Sequence, residues 1–174
     1  MERPKVSICI PCYNNADEVE RLLQSIYRQS YTDFEVNISD DSTNDETQAL
    51  VNGCYPMVKY QRNQKPYGHI LNWNAAIKMA EGAYIKIMFS DDWFTDSKSL
   101  GAFAAMLDNN PDAALAFSGS RQVMLDGQDG GALRHVTAAH QMKYYDRAAD
   151  AQFIDGLRKD YRHLFLGNQI GAPS

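Results

Sequence analysis

The stretch Val6-Ser7-Ile8-Cys9-Ile10-Pro11-Cys12-Tyr13-Asn14-Asn15 is a short β-rich apolar run, closed by a proline and followed at once by polar residues. That pattern predicts a buried strand ending in a loop. Asn14 or Asn15 supplies a cap for the helix that follows, and Asp17 and Glu18 fall in its first turn. Val19, Leu22, Leu23, Ile26 and Tyr27 then keep the spacing of a single apolar stripe. Phe34, Val36 and Ile38 alternate with polar residues, which predicts a second strand running into Asp40-Asp41. Ser42 to Asn44 offer caps for a short helix through Val51, and Met57 to Gln61 read as a third strand. A loop with Pro66 and Gly68 leads to a helix with Ile70, Trp73, Asn74 and Ile77 on one face, and Gly82 is its expected stop. Tyr84 to Phe89 form a fourth strand ending in Ser90-Asp91-Asp92. A helix from Ser97 turns Leu100, Phe103, Ala104 and Leu107 inward, Ala113 to Phe117 look like another buried strand, and Asp126 to Gly131 read as a loop or turn.

This alternation predicts an α/β fold with a mostly parallel sheet and helices on both faces. Ligands of such sheets bind in the crevice at the carboxyl ends of the strands. Tyr13-Asn14-Asn15, Asp40-Asp41 and Ser90-Asp91-Asp92 all fall there. Each acidic pair could simply cap the helix after it, but three polar groups from three strand ends meeting at one edge point to a site. Two acidic pairs at one cleft repel each other unless a cation lies between them. A hard divalent ion with oxygen ligands suits that need, and Mg²⁺ or Mn²⁺ held by one or two carboxylates takes its other ligands from phosphates and water. An acidic site can thereby hold an anionic diphosphate and stabilise its departure. Neither G-x-x-x-x-G-K-[ST] nor a G-x-G-x-x-G after the first strand is present, which weakens kinase, GTPase and dinucleotide dehydrogenase readings.

Composition bounds the rest. The 174 residues suit one domain. Lys and Arg number 17 against 22 Asp and Glu, a net charge of −5 with no basic run, which argues against a nucleic-acid binder. No stretch reaches the roughly 20 apolar residues of a membrane helix, and Val6 to Ile10 is too brief for the core of a signal peptide. With three cysteines and no export signal, the expected compartment is the cytoplasm, without a disulfide framework.

The residues from Val6 to Asn14, Ser25-Ile26 to Gln29, Asp33-Phe34-Glu35, Asp40-Asp41-Ser42-Thr43-Asn44-Asp45 and Ala80-Glu81-Gly82 to Asp91-Asp92 resemble glycosyltransferase family 2. The match runs in order from residue 5 to about 120. It implies the GT-A fold, a nucleotide-diphosphate sugar donor, most often a UDP-sugar, and inverting transfer to an acceptor hydroxyl of a glycan, lipid or protein. By resemblance, Pro11 and Tyr13 belong to the loop that packs on the base, with Asn15 in the same loop. Asp41, with Asp40 beside it, matches the acidic residue that reads the base edge. Gly68 matches a glycine flanking the nucleotide. Asp92 matches the metal ligand, with Asp91 near the ribose or phosphate. Ser90 departs from the first aspartate of the family's D-x-D.

Gly167 to Ser174 resemble the segment entering the acceptor half, and the catalytic base is expected beyond Ser174. Asp146, Asp150, Asp155 and Asp160 are poor candidates for it. The expectation is one GT-A type domain, 1–174, with residues 1–120 as the donor half and 121–174 as the start of an incomplete acceptor half. Such a chain would bind nucleotide and metal and transfer sugar poorly alone. The alternative is a non-catalytic nucleotide-binding module without base or acceptor site. A nucleotidyltransferase would want a glycine-rich loop after the first strand, which Pro11-Cys12-Tyr13-Asn14 is not.

Other features have plainer readings. Cys9-x-x-Cys12 has no second pair and is expected to be buried thiols. His135 and His140 read as surface residues, as does His69 at a helix start. Arg62 and Lys65 could meet the diphosphate or remain solvated loop cations. Trp73 is expected in the core rather than as a sugar platform. Phe153, Ile154, Leu157, Tyr161, Leu164 and Phe165 form a late apolar stripe that packs on the donor half or pairs two copies into a homodimer.

Overall fold

The computed structural model describes residues 3–116, 118, 121–123 and 129–132. Two compact units are present, Met1–Ala104 and Ala105–Ser174. The first carries β1 (Val6–Cys12), α1 (Ala16–Tyr27), β2 (Phe34–Asp40), α2 (Glu46–Cys54), β3 (Lys59–Arg62), α3 (His69–Lys78), β4 (Tyr84–Ile87) and the start of α4 (Ser99–Asp108). The second contains β5 (Arg121–Val123) and β6 (Asp129–Ala132), an antiparallel pair with an irregularity between Gln122 and Val123.

Four parallel strands form one sheet in the order β3-β2-β1-β4. The sequence after β1 moves outward on one side to β2 and β3, then crosses to the other side for β4. The switch point therefore lies between β1 and β4. One face of β1 presents Val6, Ile8, Ile10 and Cys12 to a core with Val19, Leu22, Leu23 and Ile26 of α1, Val51 of α2, and Leu100 and Ala104 of α4. The stripe of α1 is thus buried as its spacing predicts, except Tyr27, which is exposed and stacks on Tyr55 at 5.8 Å. On the other face α3 packs against β1 and β2.

Several expectations need correction. β1 does not stop at Pro11 but pairs through Cys12. The Cys9 carbonyl accepts from Met88 N–H on the β4 side. Alternation puts the missing N–H of Pro11 on that same side, past the last β1–β4 pair, Cys9↔Ile87, so no ladder bond is lost. β4 ends at Ile87 rather than Phe89, and β3 is Lys59–Arg62. Asn15, at the N-cap of α1, makes no side-chain cap, and the N-cap of α2 is Asp45, one residue past the expected caps, although Asn44 Oδ1 accepts from Glu46 N–H at 3.3 Å. Residues 113–116 form no strand; Ala113 N–H bonds back to Asn110 C=O at 2.8 Å, extending the turn after α4. Asp129 to Gly131, read as loop, belong to β6.

The largest correction concerns α3. Its inward residues are Asn72 and Ala76, while Ile70 is 72% and Trp73 37% exposed. The cause is the polar surface beneath it, where Asn72 Nδ2 donates to the Cys12 carbonyl. α3 ends at Lys78 with Met79 as C-cap, so Gly82 is not its stop. Gly82 instead donates its N–H to Ser7 Oγ at 2.8 Å, and a Cβ there would meet Ser7 N at 2.7 Å. Glu35 secures the same corner. It accepts from Ser7 Oγ at 2.5 Å and Glu81 N–H at 2.7 Å, and pairs with Lys59 at 2.7 Å. His135, His140, Asp146, Asp150, Asp155, Asp160, the stripe from Phe153 to Phe165 and the segment Gly167 to Ser174 lie outside the described residues.

Candidate functional site

All four parallel strands deliver their carboxyl ends to one edge, and the loops leaving them are stitched together by short polar side chains. After β1, Asn14 adopts φ 51°, a left-handed conformation that asparagine tolerates. Its N–H donates to Ser42 Oγ at 2.8 Å, and its Oδ1 accepts from Thr43 N–H at 2.9 Å. Asn15 turns the other way: its Oδ1 accepts from Tyr13 N–H at 3.2 Å, and its Nδ2 donates to Ser90 Oγ. The β1 loop thus ties the β2 loop on one side and the β4 loop across the switch point.

Asp40 and Asp41 adjoin in sequence but serve different ends. Asp40 is buried, with Oδ1 accepting from Ser42 N–H at 2.8 Å and Oδ2 from the Tyr60 hydroxyl at 2.6 Å. Burial and the hydrogen bond to Asp40 push the Tyr60 phenol well above its ordinary range. Both oxygens of Asp40 hold the frame. Asp41, 3% exposed, receives Tyr67 N–H and Gly68 N–H on Oδ2, each at 2.9 Å, and Asn63 Nδ2 on Oδ1 at 2.7 Å. Gly68 has φ 80°, and this turn lets consecutive N–H groups converge on one oxygen just before α3. Asn63 Nδ2 also lies 3.2 Å from Asn72 Oδ1, and Asn72 Nδ2 donates to the Cys12 carbonyl at 3.1 Å. The asparagines Asn63 and Asn72 escape sequence reading. Their only signals are the position of Asn63 just after a strand and a polar residue at 72 in an apolar helix.

Asp92 is the counterpart on the β4 side. Its Oδ2 is buried without a hydrogen-bond partner. Burial first, then the neighbouring Asp91, raise its carboxyl to about 6, against opposing pulls from Lys86 and a backbone contact at Phe89. Lys86 itself is lowered by burial, and its ammonium lies 5.1 Å from the Phe103 ring centre. A buried oxygen lacking a donor suits a cation. Among the described residues no group of three or more His, Cys, Asp or Glu gathers to cage an ion. One such oxygen, with the Asp91 carboxylate next in sequence, would suit an ion that takes the rest of its shell from phosphates and water.

The remaining predicted residues are placed as follows. Pro11 lies buried in β1, Tyr13 stands 53% exposed beyond it, and Asp91 is exposed. Arg62 pairs with Asp45 and donates to Gln48 Oε1 at 3.2 Å, so it braces the start of α2. Lys65 and His69 are exposed. Trp73 is not core: its ring lies 5.0 Å from that of Phe89. Cys9 and Cys12 are buried thiols, with Cys9 raised to about 11 chiefly by burial and Cys12 raised further for the same reason. Among the described residues no helix is long and apolar enough to cross a membrane.

Similarity to known proteins agrees with this arrangement. Abequosyltransferase RfbV of Salmonella typhimurium is 34% identical over 117 residues, 63% of this chain and 34% of that protein. S. aureus TarS, solved with UDP-GlcNAc, superposes with a TM-score of 0.56 at 28% identity, covering 62% of this chain and 32% of that one. Mannosyltransferase PcManGT from Pyrobaculum calidifontis, solved with GDP-Man and Mn2+, gives 0.54 at 25% identity over 68% of this chain and 35% of that one. The chain spans from 13% to 38% of the length of the curated relatives compared. Residues 7–159 match the model for glycosyl transferase family 2. With most of its length so matched, on a parallel sheet of GT-A type, the chain belongs to glycosyltransferase family 2.

Proposed function

We propose that this chain supplies the donor-binding part of an inverting glycosyltransferase that uses a nucleoside-diphosphate sugar, with UDP-sugars favoured, and Mg²⁺ or Mn²⁺. The observation that carries the reading is Asp92 Oδ2, a buried carboxylate oxygen without a donor, beside the switch point of a parallel sheet. Relatives and neighbours named for UDP-glucose, UDP-GlcNAc and GDP-Man with Mn2+ support it.

In this reading Tyr13 offers an exposed ring for the base, Asp41 accepts from a base N–H, Asp91 meets the ribose or phosphate, and Asp92 holds the ion. Asp40 contributes by fixing the Ser42 backbone and Tyr60. Asn15 fixes the β1 loop to Ser90, so that base and metal ends keep their spacing. When bound, the ion would neutralise charge developing on the departing diphosphate. The chain's own residues orient donor and loops, and such positioning supplies much of the rate in displacements of this kind. The acceptor hydroxyl attacks the anomeric carbon, the bond to the diphosphate oxygen breaks, and configuration inverts. None of the described residues is assigned as the base that takes the hydroxyl proton.

Thermal unfolding with UDP, with and without Mn²⁺, tests the reading. UDP with Mn²⁺ at about 100 times its dissociation constant should add about 2.7 kcal/mol of stability. Asp92→Ala should abolish the metal-dependent part. An equal shift in Asp92→Ala, or none in the parent chain, would overturn it.

A further inference from the structure

We propose that Asn63, acting with the backbone N–H groups of Tyr67 and Gly68, sets the base selectivity of this site by leaving Asp41 one acceptor position. The inference rests on the reading of Asp41 as the group that meets the base. A carboxylate offers about four lone-pair positions. Oδ2 of Asp41 has both of its positions filled, by Tyr67 N–H and Gly68 N–H. Oδ1 has one filled, by Asn63 Nδ2, the shortest of that amide's contacts. One position on Oδ1 remains. With the residue 3% exposed, the opening to it is narrow.

Base chemistry turns this count into a preference. Uracil and thymine present a single imide N–H between two carbonyls. Guanine presents two adjacent donors, N1–H and an N2 amino hydrogen, and pairs best with a carboxylate whose two oxygens are both free. Here Oδ2 is closed by the two backbone N–H groups and Asn63 leaves Oδ1 a single position, so guanine would leave one buried donor unmatched, a penalty of the kind that drives strong discrimination. Cytosine can donate one N4 amino hydrogen to that position, but its adjacent N3 lone pair would then face the carboxylate. The site therefore selects a nucleotide with a uracil-type imide.

The arrangement that closes Asp41 is held from outside it. Asn63 Oδ1 accepts from Gln61 Nε2 at 3.3 Å, which fixes which end of the amide faces Asp41. Its Nδ2 also reaches Ser39 Oγ and Asn72 Oδ1, both at 3.2 Å. Asn63 and Asn72 are positioning residues in this account: they act on the base through Asp41.

Calorimetric titration of the chain with UDP, dTDP and GDP in Mn²⁺ is the test, and each result is read as a ratio of affinities, which partial unfolding does not alter. The parent chain should bind UDP and dTDP at least about tenfold more tightly than GDP. Asn63→Ala opens the second position on Oδ1, so that both guanine donors can fall on that one oxygen, and should narrow the UDP-to-GDP ratio at least about threefold through a gain in GDP affinity. Asn72→Ala, which loosens Asn63 without touching Asp41, should shift it the same way by less. An unchanged ratio in both variants, or a parent chain that binds GDP as tightly as UDP, would overturn the inference. Asp41→Ala separates the two levels. Weaker UDP binding in that variant upholds the donor reading whatever Asn63 does, and unchanged UDP binding sinks the donor reading and this inference together.

Discussion

Helices α1 and α3 are of similar length, and both carry apolar residues at helical spacing, yet they bury opposite kinds of face. α1 buries Val19, Leu22, Leu23 and Ile26 in the main core. α3 buries Asn72 and Ala76 and turns Ile70, Leu71 and Trp73 outward. Spacing tells which residues share a face; the neighbouring surface decides which face goes in. α1 meets the apolar side chains of β1, whereas α3 lies over the polar end of the same strand, at the Cys12 carbonyl.

The contrast can be put under strain from several directions. Leu23→Ala on α1 should cost about 3 kcal/mol, through lost transfer energy and the cavity left behind, read by urea denaturation. Asn72→Leu on α3 restores the apolar pattern that sequence favours, yet it should destabilise by about 2 kcal/mol, because Asn63 loses its Asn72 contact and the carbonyl of Cys12 loses a donor. A neutral or stabilising result there would break the comparison. Gly82→Ala should cost about 1–3 kcal/mol, because its Cβ meets Ser7 N and the turn into β4 must shift. Ile70→Ser should fall within about 0.5 kcal/mol of the parent, as for other exposed positions.

Acid offers a further way to separate the helices. Burial works to raise the Glu35 carboxyl, but Lys59, Ser7 Oγ, Glu81 N–H and Asn37 together bring it down to about 2 from its ordinary 4.5. A lowered carboxyl contributes stability that is fully present above about 4.5 and is lost as pH falls through about 2. That loss loosens the turn between α3 and β4, where Glu81 and Gly82 sit, and leaves α1 untouched. Amide exchange should therefore show protection falling at Glu81 and Gly82 before it falls in α1. Glu35→Gln should flatten the acid dependence.

Much of the frame was legible in the sequence because its signals are local. The β-rich run at Val6, the stripe from Val19 to Ile26 and the alternation from Phe34 to Ile38 each report their own element. The strand-end pairs Asp40-Asp41 and Asp91-Asp92 were visible too, since position after a strand implies the crevice edge. What stayed hidden depends on distant partners. Nothing near residue 40 says that Asp40 spends its oxygens on Ser42 and Tyr60 while Asp41 binds Asn63 and the Tyr67–Gly68 turn. Arg62 looked free for a phosphate until Asp45 was found beside it. Trp73 looked like core for want of any local sign that α3 turns Asn72 and Ala76 inward instead.

The strand order also governs how the site comes into being as the chain folds. Val6 pairs with Phe34 on one side and with Tyr84 on the other. The β1–β2 contact closes a short stretch of chain, while the β1–β4 contact waits for a far longer one and carries the greater entropic cost. The pairing of β1, β2 and β3 is therefore expected to precede that of β4, with the opposite edge of β1 bare until then. The bond between Asn15 and Ser90 forms only after β4 docks, so a donor bound as proposed would be captured at the end of folding and would draw the last strand home.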